Sequence, residues 1–70
     1  MDREELIEVM RQGPIRITMN SGDTVEITNR EMALVTPMSV IALVKSDDGK
    51  LRTRFYPLVA ISMVESLSAA

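Results

Sequence analysis

The side chains best placed to do chemistry are three cations at alternate positions, Lys50, Arg52 and Arg54, followed two residues on by Tyr56, the single tyrosine of a 70-residue chain. In an extended strand that spacing puts all four on one face and Leu51, Thr53 and Phe55 on the other. A row of cations ending in an aromatic ring suits a phosphate backbone and an unstacked base, so Lys50, Arg52, Arg54 and Tyr56 are candidate RNA contacts. The same stripe reads equally as a solvated strand face whose charges keep a sheet edge from pairing with strangers. Tyr56, for its part, suits a core or an interface.

Other chemistries are poorly supplied. With no His and no Cys, the chain lacks the usual proton shuttles, thiolate nucleophiles and soft metal ligands. No Gly-rich phosphate loop occurs, and no pair of carboxylates falls on a segment that reads as a cleft wall. Asp47-Asp48-Gly49 offers fewer regularly spaced oxygens than a calcium loop needs and reads as a hairpin turn. The expectation is a binding protein and not an enzyme, with no catalytic residue, metal or cofactor. Of six methionines, Met10, Met19, Met32, Met38 and Met63 sit where core or interface packing is expected.

The elements that would position the cations follow from periodicity. Asp2 with Glu5 three residues on forms an acidic version of the capping box, and Leu6, Val9 and Met10 recur at helical spacing, predicting a helix over 2–12. Gly13 and Pro14 end it. Its acidic residues Asp2, Glu4, Glu5 and Glu8 suit the positive end of the helix dipole and read as a solvated face. From Ile15 the period becomes two: Ile15, Ile17 and Met19 alternate with polar residues, Asn20-Ser21-Gly22-Asp23 carries turn chemistry, and Val25 and Ile27 continue beyond it. Met32 to Val35 is a short apolar run between interruptions at Asn29 to Glu31 and Thr36-Pro37. Val40 to Val44 is apolar throughout, the pattern of a strand covered on both faces, and Ser46 to Gly49 turns it onto Leu51 to Tyr56. Pro57 separates a last strand, Leu58 to Val64. Five short strands with tight turns predict a small, strongly bent antiparallel barrel over 14–65, because closure removes exposed edges. Residues 66–70 read as a short frayed tail of this single domain.

So short a chain buries a small share of its surface, and the staples that rescue such domains are disulfides, metals or self-association. Only the last is well supplied here. Hydrophobic residues make up 46% of the chain with two aromatics among them, more than a solitary small domain needs. A net charge of -2 and a pI near 4.9 argue against holding nucleic acid or anionic membrane by bulk electrostatics. The N-terminus lacks the basic, apolar and small-residue regions of a signal peptide, and the apolar runs are too short to span a bilayer. A soluble cytoplasmic protein is expected.

The order helix, strand, Gly turn, strand, apolar strand, strand, final strand resembles the Sm-like family, most closely its Hfq-like branch. Ile15-Arg16-Ile17-Thr18-Met19-Asn20-Ser21-Gly22-Asp23-Thr24-Val25 is similar to the first Sm motif. Phe55-Tyr56-Pro57-Leu58-Val59-Ala60-Ile61-Ser62-Met63-Val64 resembles the second, and Val40 to Lys45 the central strand. The sequence departs where Ile27 or Thr28 replaces the first motif's second Gly, and where Pro57-Leu58 or Leu58-Val59 stands in place of the branch's Lys-His pair. Residues 29 to 39 also run longer than the family norm. The resemblance implies an SH3-type barrel with an N-terminal helix that assembles with copies of itself, possible as a ring, the fourth strand of one subunit pairing with the fifth of the next. Phe55, Leu58, Ala60, Ile61 and Met63 are then candidate interface residues. It also implies an RNA-associated or regulatory role; the acidic pI and the missing polar pair support instead a protein-interaction or structural module on the same barrel.

Overall fold

A computed structural model describes residues 1–67. Ile15, Ile17 and Met19, on one side of β1 (Ile15–Met19), are each buried, and the chain is organised around them. β1 is the middle strand of a first antiparallel sheet, between β2 (Thr24–Ile27) and β6 (Ile61–Ser66). Gly22, at φ 95°, lets the chain reverse between β1 and β2, with the Met19 N–H donating to the Asp23 carbonyl at 2.7 Å. On the outer side of this sheet Arg16 lies 3.0 Å from Glu26 on β2 and 3.8 Å from Glu65 on β6, a half-exposed charge row that adds register more than energy.

The second sheet is β3 (Ala33–Val35), β4 (Ser39–Lys45) and β5 (Leu51–Pro57), in that order and also antiparallel. A short 3-10 turn, Arg30–Met32, joins β2 to β3, and another, Leu58–Ala60, joins β5 to β6. The two sheets face each other over one core of Leu6, Met10, Ile15, Ile17, Met19, Val25, Ile27, Val40, Ala42, Tyr56 and Leu58. α1 (Arg3–Arg11) lays Leu6 and Met10 into it and stops just before Gly13 and Pro14.

Four sequence expectations need correction. Six strands form among the described residues, in two three-stranded sheets and not a closed five-stranded barrel. The added strand is the Ala33–Val35 run, folded onto Val40–Ala42 by a turn in which the Thr36 hydroxyl accepts from the Ser39 N–H at 2.9 Å. The last strand begins at Ile61 and not Leu58. Pro57 cannot donate, and the chain turns there to drop Leu58 into the core before extending again. Asp2 stands at the helix N-cap with extended backbone but its carboxylate makes no capping hydrogen bond, so the box with Glu5 does not form; Leu6 N–H bonds the Asp2 carbonyl instead. The expected tail 66–70 begins too early, for Ser66 belongs to β6 and the Leu67 N–H donates to the Pro14 carbonyl at 2.8 Å. Residues 68–70 of that tail lie outside the described residues.

Candidate interaction surface

Lys50, Arg52 and Arg54 fall at the end of the β4–β5 turn and along β5. Ser46 N–H donates to the Lys50 carbonyl and Gly49, at φ 82°, closes the reversal. Cross-strand pairing sets Arg52 opposite Val44, Arg54 opposite Ala42 and Tyr56 opposite Val40, so these three do share the sheet face that carries the core. Their environments differ along that face. Tyr56 is buried in the core, and its ring is no open stacking platform; Arg52 and Arg54 are exposed because the outer half of the hairpin extends past the core. Lys50 precedes the strand.

Asp48 organises the turn. Its carboxylate accepts from the Ser46 hydroxyl, from the Lys50 N–H at 3.1 Å and from Arg52 at 3.2 Å. The Ser46 hydrogen bond above all, then the Lys50 N–H and, less, Arg52, hold this carboxyl below the ordinary 3.8, against a small opposing desolvation. The unfolded carboxyl therefore takes up its proton at higher pH than the folded one. The stabilisation is whole above 3.8 and is lost as pH falls through the lower, folded value. We expect Asp48→Asn to lower the urea midpoint at neutral pH and to converge on the parent well below pH 3.8. Curves that stay parallel at every pH would show that the turn does not use this charge.

The opposite face of the second sheet is where apolar surface collects. Leu34 on β3 pairs with Ile41 on β4, which pairs with Phe55 on β5; Leu34 is 63% and Phe55 68% exposed. Leu43 and Leu51 extend the patch toward the turn. β4 was expected to be covered on both faces, yet Val40 and Ala42 are buried while Leu43 is exposed and Ile41 half-buried. Beside Phe55, a hollow of about 550 Å³ is walled by Pro37, Met38, Pro57 and Val59. Met38 and Val59 are exposed at its rim.

No family model, curated protein or solved structure matches the chain. Of the interface candidates, Phe55 and Met63 are exposed, Ala60 and Ile61 pack half-buried against the core, and Leu58 lies within it. Met10 and Met19 are core residues, Met32 is half-buried, and Met38 and Met63 face out. Among the described residues no three His, Cys, Asp or Glu side chains gather as a metal site, and no helix is long and apolar enough to cross a membrane. The sequence reading missed Leu34, Ile41 and Leu43 as surface. Their signal, an apolar run on both faces of a strand, was present but assigned to the wrong cover.

The free edges can be placed by antiparallel alternation. Ser46–Lys50 and Leu58–Met38 are backbone hydrogen-bonded pairs at the two ends of the β4–β5 ladder. Counting inward in twos, Arg52, Arg54 and Tyr56 bond to β4, and Leu51, Thr53 and Phe55 point their N–H and C=O outward. Pro57 falls on that outward set, where its missing N–H costs the ladder nothing. β6 is likewise the outer strand of its own sheet.

Proposed function

We propose that this chain is a non-enzymatic, self-assembling interaction module of the Sm-like type. The observation that carries it is the pairing of two features on one element: β5 is a free edge, and the sheet face it borders exposes Leu34, Leu43 and Phe55 around the half-buried Ile41. A second copy adding its β6 to this β5 would continue the sheet and bring its own outward Met63 beside Phe55. An exposed apolar edge strand that stayed unpaired would invite disordered aggregation, and a closed ring of copies joined β5 to β6 covers both of those edges. Tyr56 in the core and Arg52 held by Asp48 favour this reading over RNA binding, leaving Lys50 and Arg54 as the cations of the stripe without an ion-pair partner among the described residues.

Sedimentation equilibrium of the whole chain tests it. The expected result is a discrete species at a multiple of 7.8 kDa that does not dissociate in high salt, since apolar contact and backbone pairing are weakly screened. A stable 7.8 kDa monomer at high concentration would rule the proposal out. Salt-sensitive binding of single-stranded RNA, weakened by Arg54→Ala, would instead restore the RNA-associated role.

A further inference from the structure

The two sheets leave a second open seam, between the free edge of β2 and the outer half of the β4–β5 hairpin, beyond the end of the short β3. A cleft of about 410 Å³ occupies it, within the ~300–1,000 Å³ that ligand sites usually span. One wall is the β2 edge. Because Met19 N–H bonds the Asp23 carbonyl, the alternation assigns Ile17–Val25 and Ile15–Ile27 to the bonded pairs, and Thr24 and Glu26 direct their backbone N–H and C=O away from β1, into the cleft side. The floor is aliphatic, from Val25, Ile27 and Val44.

The far wall is cationic. Arg54, on the core face of β5, and Lys45, on the outer face at the end of β4, both border the cleft, and neither has an ion-pair or side-chain hydrogen-bond partner among the described residues. Glu26, the one carboxylate on the lining, is already neutralised by Arg16 at 3.0 Å. The Tyr56 hydroxyl makes no hydrogen bond among the described residues and is not an orphaned buried group.

From this arrangement we infer that the seam binds an extended, acidic peptide segment by strand addition to β2. The segment's backbone would pair with Thr24 and Glu26, its inward side chains would meet the aliphatic floor and Arg54, and its outward side chains would bring a carboxylate to Lys45. Strand addition supplies affinity without sequence preference, and the two cations supply the preference for acid. Two cations and a buried aromatic ring are a poor platform for a nucleic acid strand, which needs several phosphate contacts and open rings. The site borrows the Arg54 side chain from β5 but neither the outward backbone edge of β5 nor any part of β6, so it stands or falls independently of self-assembly.

The test is a fluorescein-labelled hexapeptide of Glu and Val with carboxylates on both faces of the extended strand, titrated against the whole chain by anisotropy and by amide NMR. Binding is expected to shift the Thr24 and Glu26 amides and to slow their hydrogen exchange. The counterpart peptide with Lys for Glu should bind about tenfold or more weakly, and so should the Glu peptide on Arg54→Gln with Lys45→Gln, the loss of two charge-assisted contacts. These residues are exposed, so the variant should fold, which its unchanged core amide spectrum would verify. A peptide N-methylated at alternate residues should not bind. Equal affinity for the Lys peptide, no response at Thr24 and Glu26, undiminished binding to the double variant, or displacement by an oligouridine of the same charge would each overturn the inference.

Discussion

Ile17→Ala is expected to lower the unfolding free energy by about 2–5 kcal/mol, the ordinary result of emptying a well-packed aliphatic site. Ile17 has 0% exposure and stands in the middle strand of the first sheet, opposite Val25 on β2 and Val64 on β6. Its side chain points into the space between the sheets. The surrounding strands are held by their own ladders and can collapse little into the gap, which puts the cost toward the upper end. A domain of 70 residues has roughly 4–10 kcal/mol in all, so this one change consumes a large fraction of it. A lower urea midpoint with an unchanged slope is the expected signature. Because association stabilises only the folded form, the deficit should shrink as protein concentration rises if copies bind one another. A loss below about 1 kcal/mol at low concentration would mean that β1 is not the centre of the core.

What the sequence made legible was what two competing periods could distinguish. Leu6, Val9 and Met10 repeat at helical spacing and Ile15, Ile17 and Met19 at strand spacing, with Gly13-Pro14 between them, and the helix and first hairpin formed there. Leu58-Val59-Ala60-Ile61 has no period, being small or apolar at every position, so nothing in it marks the turn that divides it from β6. The three-residue β3 was too short to outweigh the Thr36-Pro37 interruption, although its partner β4 is the longest apolar run nearby. At the candidate site, alternation placed Arg52, Arg54 and Tyr56 on a common face but could not show that the face passes from water into the core along its length. Burial is a tertiary property. The same limit hid the apolar outer face: Val40 to Val44 reads identically whether its second side is covered by the chain itself or by another molecule.

Thr53→Pro should convert any assembled form into a 7.8 kDa monomer while leaving the fold intact. The argument is one of direction. Thr53 lies opposite Leu43 in a pair whose backbone groups point away from β4, so proline there removes a donor that no strand of this chain uses. The residue before a proline is driven to extended backbone, which Arg52 already adopts within β5. The chain itself shows that the position tolerates this, since Pro57 occupies the same outward series on the same strand. What the substitution does destroy is the edge, because the incoming strand of a second copy would meet a ring where it needs an N–H. Arg52→Pro supplies the contrast: its N–H bonds to β4, and its loss should disrupt the hairpin and lower the melting temperature. Equilibrium sedimentation and thermal melts of the two variants separate the cases. If Thr53→Pro remained assembled at the parent's mass with a normal melt, β5 would not be the edge through which copies join, and the exposed Leu34–Ile41–Phe55 face would have to make that contact alone.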